Sequence, residues 1–324
     1  MRLTYRMNRA DDRDELIRLW SEQSGWDVVD SETWEHRFVK TPYGESAIAL
    51  TVDKDSDAII GQCIFIPTIV SIGGREVRAY RTFAPMLGEK LRGISLLNPF
   101  RHPLYRMYKF AIDFFSQNGV VLIHMIPDPR WLRAFQLLPN FQIGKFPLWS
   151  LKLPLAENFK SLANCEIRDI QPDDKRLNEL WQKTSKFYDC AIVRTAKFLP
   201  WKTSHGNYFY QGVFRGDELV GFAASVYKSR DKQWLICDIL AIDNESLESA
   251  VCAACHTADN FRLQNPSEDV NKIAILATDL ILPIVGKLGF YRDEYDFPFV
   301  VHLLDGAIFK ETVAPSRWYL SAND

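Results

Sequence analysis

The apolar and polar residues of this chain form one arrangement that occurs twice in the same order. Residues 6–20 and 168–181 each contain a short alternating run, an Asp-Asp pair and then apolar positions at helical spacing that end in Leu-Trp. Side chains three and four positions apart share a helix face, and aspartate before such a run caps the helix. Each segment is therefore predicted to be a strand followed by an amphipathic helix.

Three further pairs of segments repeat downstream: an acidic turn before an apolar strand, an apolar run ending at Asp, and a Phe-Pro pair. They are residues 57–61 with 218–221, 120–128 with 272–279, and 146–148 with 297–299. Each Phe-Pro pair opens the last predicted strand of its repeat, at 149–153 and at 300–304. A common order over so many segments indicates a tandem duplication.

The longest helices are predicted at 103–118, which has Pro in its first turn and Asn-Gly after its last, and at 245–263. The fold class is α/β (α+β), with two domains that are each a mixed, mostly antiparallel sheet with helices on both faces. The predicted boundaries are 1–153 for the first domain, 154–164 for a linker, 165–304 for the second domain and 305–324 for a C-terminal extension.

The chain length agrees with two domains, because 324 residues is about twice the usual size of one domain. The net charge of −2 and the even spread of Lys and Arg argue against a nucleic-acid partner. No apolar run approaches the ~20 residues that cross a bilayer, and the first residues lack a signal peptide's apolar stretch. We therefore predict no membrane partner, a cytoplasmic location and six reduced cysteines; the oligomeric state is left open.

In this order of segments the chain resembles the GNAT superfamily of acyl-CoA-dependent N-acyltransferases, in their tandem form. The first half has the turn that ends at Gly61, a strand at 82–85, a long helix, and Ile-Pro-Asp at 126–128. The second half has Gly-Phe at 289–290, and residues 194–202 are similar to the Arg-x-x-x-Phe-Leu-x-Trp-Arg segment of tandem members. The resemblance covers nearly all of residues 1–304.

The resemblance implies that acyl-CoA enters a gap beside the strand before the long helix, with its pyrophosphate at the helix start. The family's glycine-rich loop is altered here, and two alignments stay open: one through residues 86–94, and one through 102–111, where Lys109 replaces a glycine. A third interpretation makes the basic residues a solvated helix face. The predicted cofactor-binding residues are Phe83, Ala84, Met86, Gly88, Arg92, Gly93, Arg106 and Tyr108.

The resemblance also implies a general base and an acid. The catalytic candidates are Asp128, at the family's asparagine position, His124 in the strand before it, and Tyr105 near the start of the long helix. His124 has the alternative of a core histidine, and Tyr105 that of aromatic packing. The family's tyrosine falls near 135–136, which are Phe and Gln, so that acid is missing.

The second half offers a weaker site. Residues 244–248 contain two glutamates and no glycine, which disfavours a pyrophosphate, so this half is predicted to be structural or to shape the acceptor cleft. Cys252, Cys255 and His256 match the haem-attachment pattern, but they lie within a predicted helix, and the pattern is interpreted as buried cysteines. Acyl-CoA is the predicted co-substrate, with no metal and no haem.

The resulting hypothesis is an N-acyltransferase that transfers an acyl group, such as acetyl, from CoA to a small-molecule amine. An amino sugar is the specific acceptor that similar tandem proteins suggest. The altered loop and the missing tyrosine support an alternative, a non-catalytic binding or scaffold protein with the same fold. An aminoacyl-tRNA-dependent transferase of the FemAB type is a weaker alternative, which the near-neutral charge disfavours.

Overall fold

The structure is a computed structural model that describes residues 2–25, 28–94, 98–128, 132, 136, 140–157, 159, 165–322 and 324. The chain divides into two compact units. Unit 1 contains Met1–Val70, Glu76–Gly144 and Pro298–Ser316, and unit 2 contains Ser71–Arg75, Lys145–Phe297 and Arg317–Asp324. No helix in the described part of the chain is both long and apolar enough to span a membrane.

The first half of the chain has one long helix and five strands before the strand that enters unit 2. The elements are β1 (Leu3–Met7), α1 (Arg13–Gln23), α2 (Ser31–Trp34), β2 (Ala47–Asp53), β3 (Ile59–Ile72), β4 (Arg75–Leu87), α3 (Glu89–Arg92), α4 (Pro103–Gln117), β5 (Leu122–Met125) and β6 (Phe141–Lys152). The observed α4 matches the helix predicted at 103–118. Pro103 lies in its first turn, where proline is favoured because the N–H that it lacks would have no partner within the helix.

The second half repeats this order. Its elements are β7 (Glu166–Asp169), α5 (Arg176–Thr184), β8 (Cys190–Ile192), α6 (Phe198–Thr203), β9 (Tyr208–Arg215), β10 (Glu218–Lys228), β11 (Gln233–Ala241), α7 (Asn244–Gln264), β12 (Lys272–Leu276), α8 (Leu282–Lys287), β13 (Tyr291–Leu303) and β14 (Trp318–Tyr319). Asp243 caps α7 by accepting a hydrogen bond from the Ser246 N–H, as its position before an apolar helix favours.

The sheet of unit 1 runs β1, β2, β3, β4, β5 and then the end of β13. Strands β1 and β2, β2 and β3, and β5 and β13 pair antiparallel. Strands β4 and β5 are parallel, with Ala79 opposite Leu122. A parallel pair requires a crossover, and α4 provides it.

Helices cover both faces of this sheet. Thr82 and Phe83 are neighbours on β4, so their side chains point to opposite faces. Thr82 lies 3.4 Å from the Tyr108 hydroxyl on α4, whereas Phe83 stacks on Trp20 of α1 with ring centroids 6.1 Å apart. The mixed, mostly antiparallel sheet with helices on both faces, predicted from the sequence, is therefore present in unit 1.

The sheet of unit 2 has the same plan. Its order is β7, β9, β10, β11, β12 and then the end of β6. All of these neighbours are antiparallel except β11 and β12, which are parallel, with Trp234 opposite Ile273. Along these two strand orders, each unit thus has one parallel pair followed by one antiparallel closing strand. In unit 2 a further parallel pair joins β8 to β14, with Cys190 opposite Trp318.

Two separate repeats would each pair their last strand within their own sheet. The observed last strands instead pair in the opposite units. The strand predicted at 149–153 pairs in unit 2, where Trp149 lies opposite Ile275. The strand predicted at 300–304 pairs in unit 1, where Val300 lies opposite Met125. An alternating apolar pattern specifies which face of a strand is buried, but it does not specify the partner strand. Part of the predicted linker at 154–164 lies outside the described residues.

Candidate functional site

Unit 1 contains a cavity of about 540 Å³ beside the open end of its parallel strand pair. Its lining comes from the end of α1, the second half of β4, the residues around α3, the residue before α4, and the end of β5. These residues are Gln23, Ser24, Arg81, Thr82, Phe83, Ala84, Pro85, Met86, Leu87, Arg92, Ile94, His102, Met125, Ile126, Pro127 and Asp128.

The cavity exists because β4 and β5 diverge. Their paired register ends at Arg81 and His124, while β4 continues to Leu87. Ala84 has a φ of 46°, a left-handed value that is rare for a residue with a side chain and that interrupts the regular strand. Beyond Arg81, the edge of β4 that would face β5 is therefore available to a bound molecule.

Aromatic packing fixes the floor of this opening. Phe83 contacts Trp20 and Phe38, at centroid distances of 6.1 and 5.9 Å, so its ring is tied to the helices on that face. The guanidinium carbon of Arg81 lies 5.7 Å from the centroid of the Phe83 ring, which is a favourable place for a cation. The opening therefore combines an apolar wall with a half-buried positive charge.

Arg92 lines the cavity and connects two of the elements that border it. Its Nε donates to the Leu87 carbonyl at 3.0 Å, and its Nη2 donates to the Gln23 carbonyl at 2.6 Å. These two bonds hold the end of β4 against the end of α1. Both of these acceptors are neutral backbone carbonyls.

His102 also lines the cavity and lies immediately before α4. Its carbonyl accepts the Arg106 N–H at 3.1 Å, and its side chain makes no capping bond to the helix. The side chain is buried, and burial lowers the pKa of His102, so its imidazole is neutral at neutral pH. The amino end of a helix carries unbonded N–H groups and a partial positive charge, which favour electron-rich ligand atoms.

Five of the predicted site residues line the cavity: Phe83, Ala84, Met86, Arg92 and Asp128. Ala84 and Met86 are buried on β4, and Asp128 is exposed, three residues after the end of β5. The structure thus brings together the strand residues, one basic residue and one carboxylate that the resemblance implied.

Three predicted cofactor contacts lie elsewhere. The Gly88 N–H donates to the Ile60 carbonyl at 2.8 Å, and a Cβ there would lie 3.1 Å from that oxygen, so close packing against β3 explains the glycine. Gly93 is exposed after α3. Arg106 is exposed on α4 beside Tyr5, where burial raises the pKa of Tyr5 and the Arg106 charge opposes that shift.

Three predicted residues are buried in the core of unit 1 and do not line the cavity. His124 is fully buried on β5 and shares a 3.1 Å hydrogen bond with Thr68. Tyr108 is fully buried beside Thr82, and burial raises its pKa. Tyr105 packs edge-on against Phe100, at 5.2 Å between centroids. The missing tyrosine of the family falls at positions 135–136. Position 135 lies outside the described residues, and Gln136 is exposed.

Five polar residues of the lining are absent from the sequence-based set: Gln23, Ser24, Arg81, Thr82 and His102. Two of them, Arg81 and His102, have ionisable side chains. Arg81 is a cation in the middle of a strand whose other residues are largely buried, and a charge in such a run signals a functional face. His102 precedes Pro103 at a helix start, and that position signals proximity to a helix terminus but not burial. Neither signal specifies which residues line the cavity, because lining depends on the divergence of β4 from β5.

The corresponding opening in unit 2 is filled by protein. The register of β11 and β12 ends at Ile236 and Ile275, while β11 continues to Ala241. Here the Tyr319 hydroxyl donates to the Ile239 carbonyl, and Arg194 donates to the Asp238 carboxylate. In unit 2, side chains of residues 317–324 thus lie against the end of β11. In unit 1 the corresponding strand end is that of β4, which borders the cavity.

The Cys-x-x-Cys-His motif of the second half lies inside α7. Cys252 and Cys255 are both buried, and burial raises the pKa of the Cys255 thiol well above its ordinary value. His256 contacts the ring of Phe159 at 5.5 Å between centroids. Mid-helix burial is the position expected for structural cysteines. Among the described residues, no group of three or more His, Cys, Asp or Glu side chains has the arrangement of a metal site.

Solved structures show which fold this is. A GCN5-related N-acetyltransferase from Anabaena variabilis matches with a TM-score of 0.71 and 11% identity, over 94% of this chain and 73% of that one. A probable N-acyltransferase from Enterococcus faecalis matches with a TM-score of 0.69 and 9% identity, over 94% and 73%. No protein-family model and no curated protein sequence matches the chain.

A third structure extends the comparison to a longer-chain acyl group. Saccharomyces cerevisiae N-myristoyltransferase with bound myristoyl-CoA matches with a TM-score of 0.56 and 10% identity, over 93% of this chain and 79% of that one. At sequence identities of 9–11%, the similarity shows a shared fold only. The chain has the GNAT fold that its order of segments predicted.

Proposed function

We propose that this protein is an acyl-CoA-dependent N-acyltransferase whose thioester binds in the cavity of unit 1. The observation that carries the proposal is the opening of β4 from β5 after Arg81 and His124, with Ala84 in a left-handed conformation at the cavity wall. An exposed strand edge inside a cavity suits an extended ligand that contains amides, because such a ligand bonds to the edge as an added strand.

The chemistry follows from where the polar groups lie. Peptide N–H groups of β4 near Ala84 are suited to stabilise the oxygen of a thioester carbonyl while an amine attacks it. Asp128 is the carboxylate of the lining, and we assign it the role of accepting the amine proton. The new C–N bond forms as the C–S bond breaks, and CoA leaves as its thiol or thiolate.

Unit 2 is proposed to act as a scaffold. The end of β11 is occupied by Arg194 and Tyr319, and the segment after β11 begins α7 with Glu245 in its first turn. A carboxylate at a helix start disfavours a phosphate there. We therefore assign acyl-CoA binding to unit 1 alone.

The acceptor is proposed to be an amine. An amino sugar is the specific hypothesis carried from the sequence, and so is the cytoplasmic location. The myristoyl-CoA complex of the yeast neighbour makes long acyl chains part of any test. The acceptor and the acyl chain are separate questions, because they concern opposite sides of the reacting carbonyl.

The second candidate is a non-catalytic binding protein with the same cavity. One observation favours it: Tyr105 and His124, two of the three predicted catalytic residues, are buried in the core of unit 1. Such a protein would bind CoA without turnover. Binding and turnover must therefore be measured separately.

Binding is tested by isothermal titration with CoA, acetyl-CoA and myristoyl-CoA. Ile94 and Ile143 are both 38% exposed in unit 1, but only Ile94 lines the cavity, so Ile94→Glu and Ile143→Glu form a matched pair. A carboxylate at the cavity wall repels phosphates, and we expect Ile94→Glu to bind CoA about tenfold more weakly at low salt, while Ile143→Glu binds as wild type. If the wild type binds none of the three ligands, the proposed function is wrong.

A further inference from the structure

Arg81 brings a positive charge to the wall of the cavity, on one particular face of the sheet. Side chains alternate along β4, so Thr82 points to the face that α4 covers, 3.4 Å from the Tyr108 hydroxyl. Arg81 and Phe83 point to the other face, where Phe83 stacks on Trp20 of α1 and the Arg81 guanidinium carbon lies 5.7 Å from the Phe83 ring centroid. A guanidinium at the half-buried wall of a cavity attracts groups of negative charge, because its surroundings screen the charge less than bulk water does.

The orientation of the proposed thioester determines which reactant meets this face. A ligand that bonds to the edge of β4 as an added strand lies approximately in the plane of the sheet, and so does its carbonyl group. An amine attacks a carbonyl from above or below the plane of that group, which here means from one face of the sheet. The α4 face is occupied by the buried side chains of Thr82 and Tyr108, whereas the cavity borders the end of α1 on the opposite face. The acceptor therefore approaches on the face of Arg81.

Arg81 and Asp128 border the same opening. Arg81 lies opposite His124 at the last paired position of β4 and β5, and Asp128 follows His124 by four residues. Among the described lining residues, Asp128 has the acidic side chain, and Arg81 and Arg92 have the basic ones. The opening thus offers a carboxylate for the acceptor amine and a guanidinium for an acidic group.

We propose that Arg81 binds a carboxylate of the acceptor, so that the substrate is an amine that also carries an acidic group. The assignment rests on the proposed acyl-CoA function and narrows the class of acceptor. A guanidinium bonds a carboxylate through two parallel N–H donors, which fixes the orientation of the bound molecule as well as compensating its charge. Amino acids, and amino sugars that bear a carboxyl group, contain the required pair of groups.

The experiment measures kcat/KM for pairs of amines that differ in one carboxylate, with the acyl-CoA that the wild type binds. The pairs are glycine and glycinamide, β-alanine and β-alaninamide, and the uronic acid of glucosamine and glucosamine itself. Arg81→Met keeps an unbranched side chain but removes the charge, and Arg81→Lys keeps the charge but loses the planar fork. Arg78→Met is the matched control, because Arg78 is an exposed arginine of the same strand and does not belong to the cavity lining.

The variants should change the preference between the two members of a pair. We expect Arg81→Met to lower kcat/KM for the acidic member about ten- to hundredfold, the usual effect of losing a hydrogen bond to a charged group, and to leave the neutral member unchanged. Arg81→Lys should fall between the wild type and Arg81→Met, and Arg78→Met should match the wild type with both members. The Kd for CoA should be equal in all four proteins, which also shows that the variants are folded.

Each result decides one question. A loss in Arg81→Met that is confined to acidic amines supports the carboxylate contact. An unchanged preference, or an equal loss for both members of a pair, overturns the contact while leaving the proposed function in place, and so does a wild type that acylates only neutral or cationic amines. A weaker Kd for CoA with an unchanged preference overturns it by assigning Arg81 to the cofactor. Failure of the wild type to acylate any amine of either class overturns the proposed function itself.

Discussion

Arg194 and Asp238 form an ion pair that is completely enclosed in unit 2, with 2.7 Å between Nε and Oδ1 and both side chains 0% exposed. Asp324 accepts a second bond from the same guanidinium, at 2.5 Å from Nη2. Two carboxylates thus share one cation in the interior. Since charges are costly to bury, this cluster makes unit 2 sensitive to pH and to the loss of any member.

The first prediction concerns pH. Burial raises the pKa of Asp238 to about 6 from its ordinary 3.8, with Arg194 opposing the shift and Asp324 adding to it. The folded protein holds this proton more tightly than the unfolded chain, so the stability is fully present below about pH 4 and is lost as the pH rises through about 6. We expect the free energy of unfolding in urea to fall between pH 4.5 and 7.

The control is Asp238→Asn, whose amide accepts a hydrogen bond but does not titrate. Its free energy of unfolding should lack the decrease between pH 4.5 and 7. The window stays above pH 4 because the pKa of Asp243 lies at about 2, lowered by Arg215, and its effect on stability has the opposite sign. Parallel pH profiles for the variant and the wild type would contradict the assignment to Asp238.

The second prediction concerns the cation of the cluster. Arg194→Met leaves Asp238 and Asp324 buried without their partner, and breaking a buried pair in this way costs about 3–5 kcal/mol. Arg215→Met removes an ion pair with Asp243 in which the side chains are 34% and 41% exposed, so it should cost no more than about 1 kcal/mol. Urea unfolding measures both, and equal losses would show that enclosure of the Arg194 cluster is energetically unimportant.

The third prediction concerns Ala84. A φ of 46° is unfavourable for alanine by about 1–2 kcal/mol, whereas glycine accepts it. Ala84→Gly should therefore leave the free energy of unfolding unchanged or raise it, despite the greater freedom of the unfolded chain. Ala79→Gly, at a buried position of the same strand without positive φ, should lower it by about 1 kcal/mol. A loss of the same size at Ala84 would mean that its conformation is not strained.

Much of the fold follows from sequence because periodicity is a local property. The Pro103 helix start and the Asp243 cap mark the two long helices, and the repeated order of segments gives the two similar sheets. The exchange of closing strands is a tertiary choice. Nothing in the alternation at 149–153 distinguishes β12 from β5 as its neighbour, since either surface buries the same apolar face.

The site was harder to predict because burial and lining depend on packing. His124 and Tyr108 lie within apolar segments at positions that the family resemblance marked, yet their side chains point into the core. Every residue of β5 is buried, so strand alternation does not separate a cavity position from a core position there. The burial of His102 likewise became visible only in the structure.

The last prediction concerns turnover. Asp128 is the carboxylate of the cavity lining, and we expect Asp128→Asn to lower kcat for acyl transfer by about 10²–10⁴-fold, the usual contribution of a general base. Release of the CoA thiol is followed with acetyl-CoA and a panel of amines that includes amino sugars, amino acids, peptides and polyamines. The Kd for CoA should be unchanged in the variant, because the carboxylate acts on the acceptor amine, and Asp113→Asn, on the exposed face of α4, serves as the control. An active wild type with an equally active Asp128→Asn would exclude this base. A wild type that binds CoA but releases no thiol with any amine would favour the non-catalytic alternative.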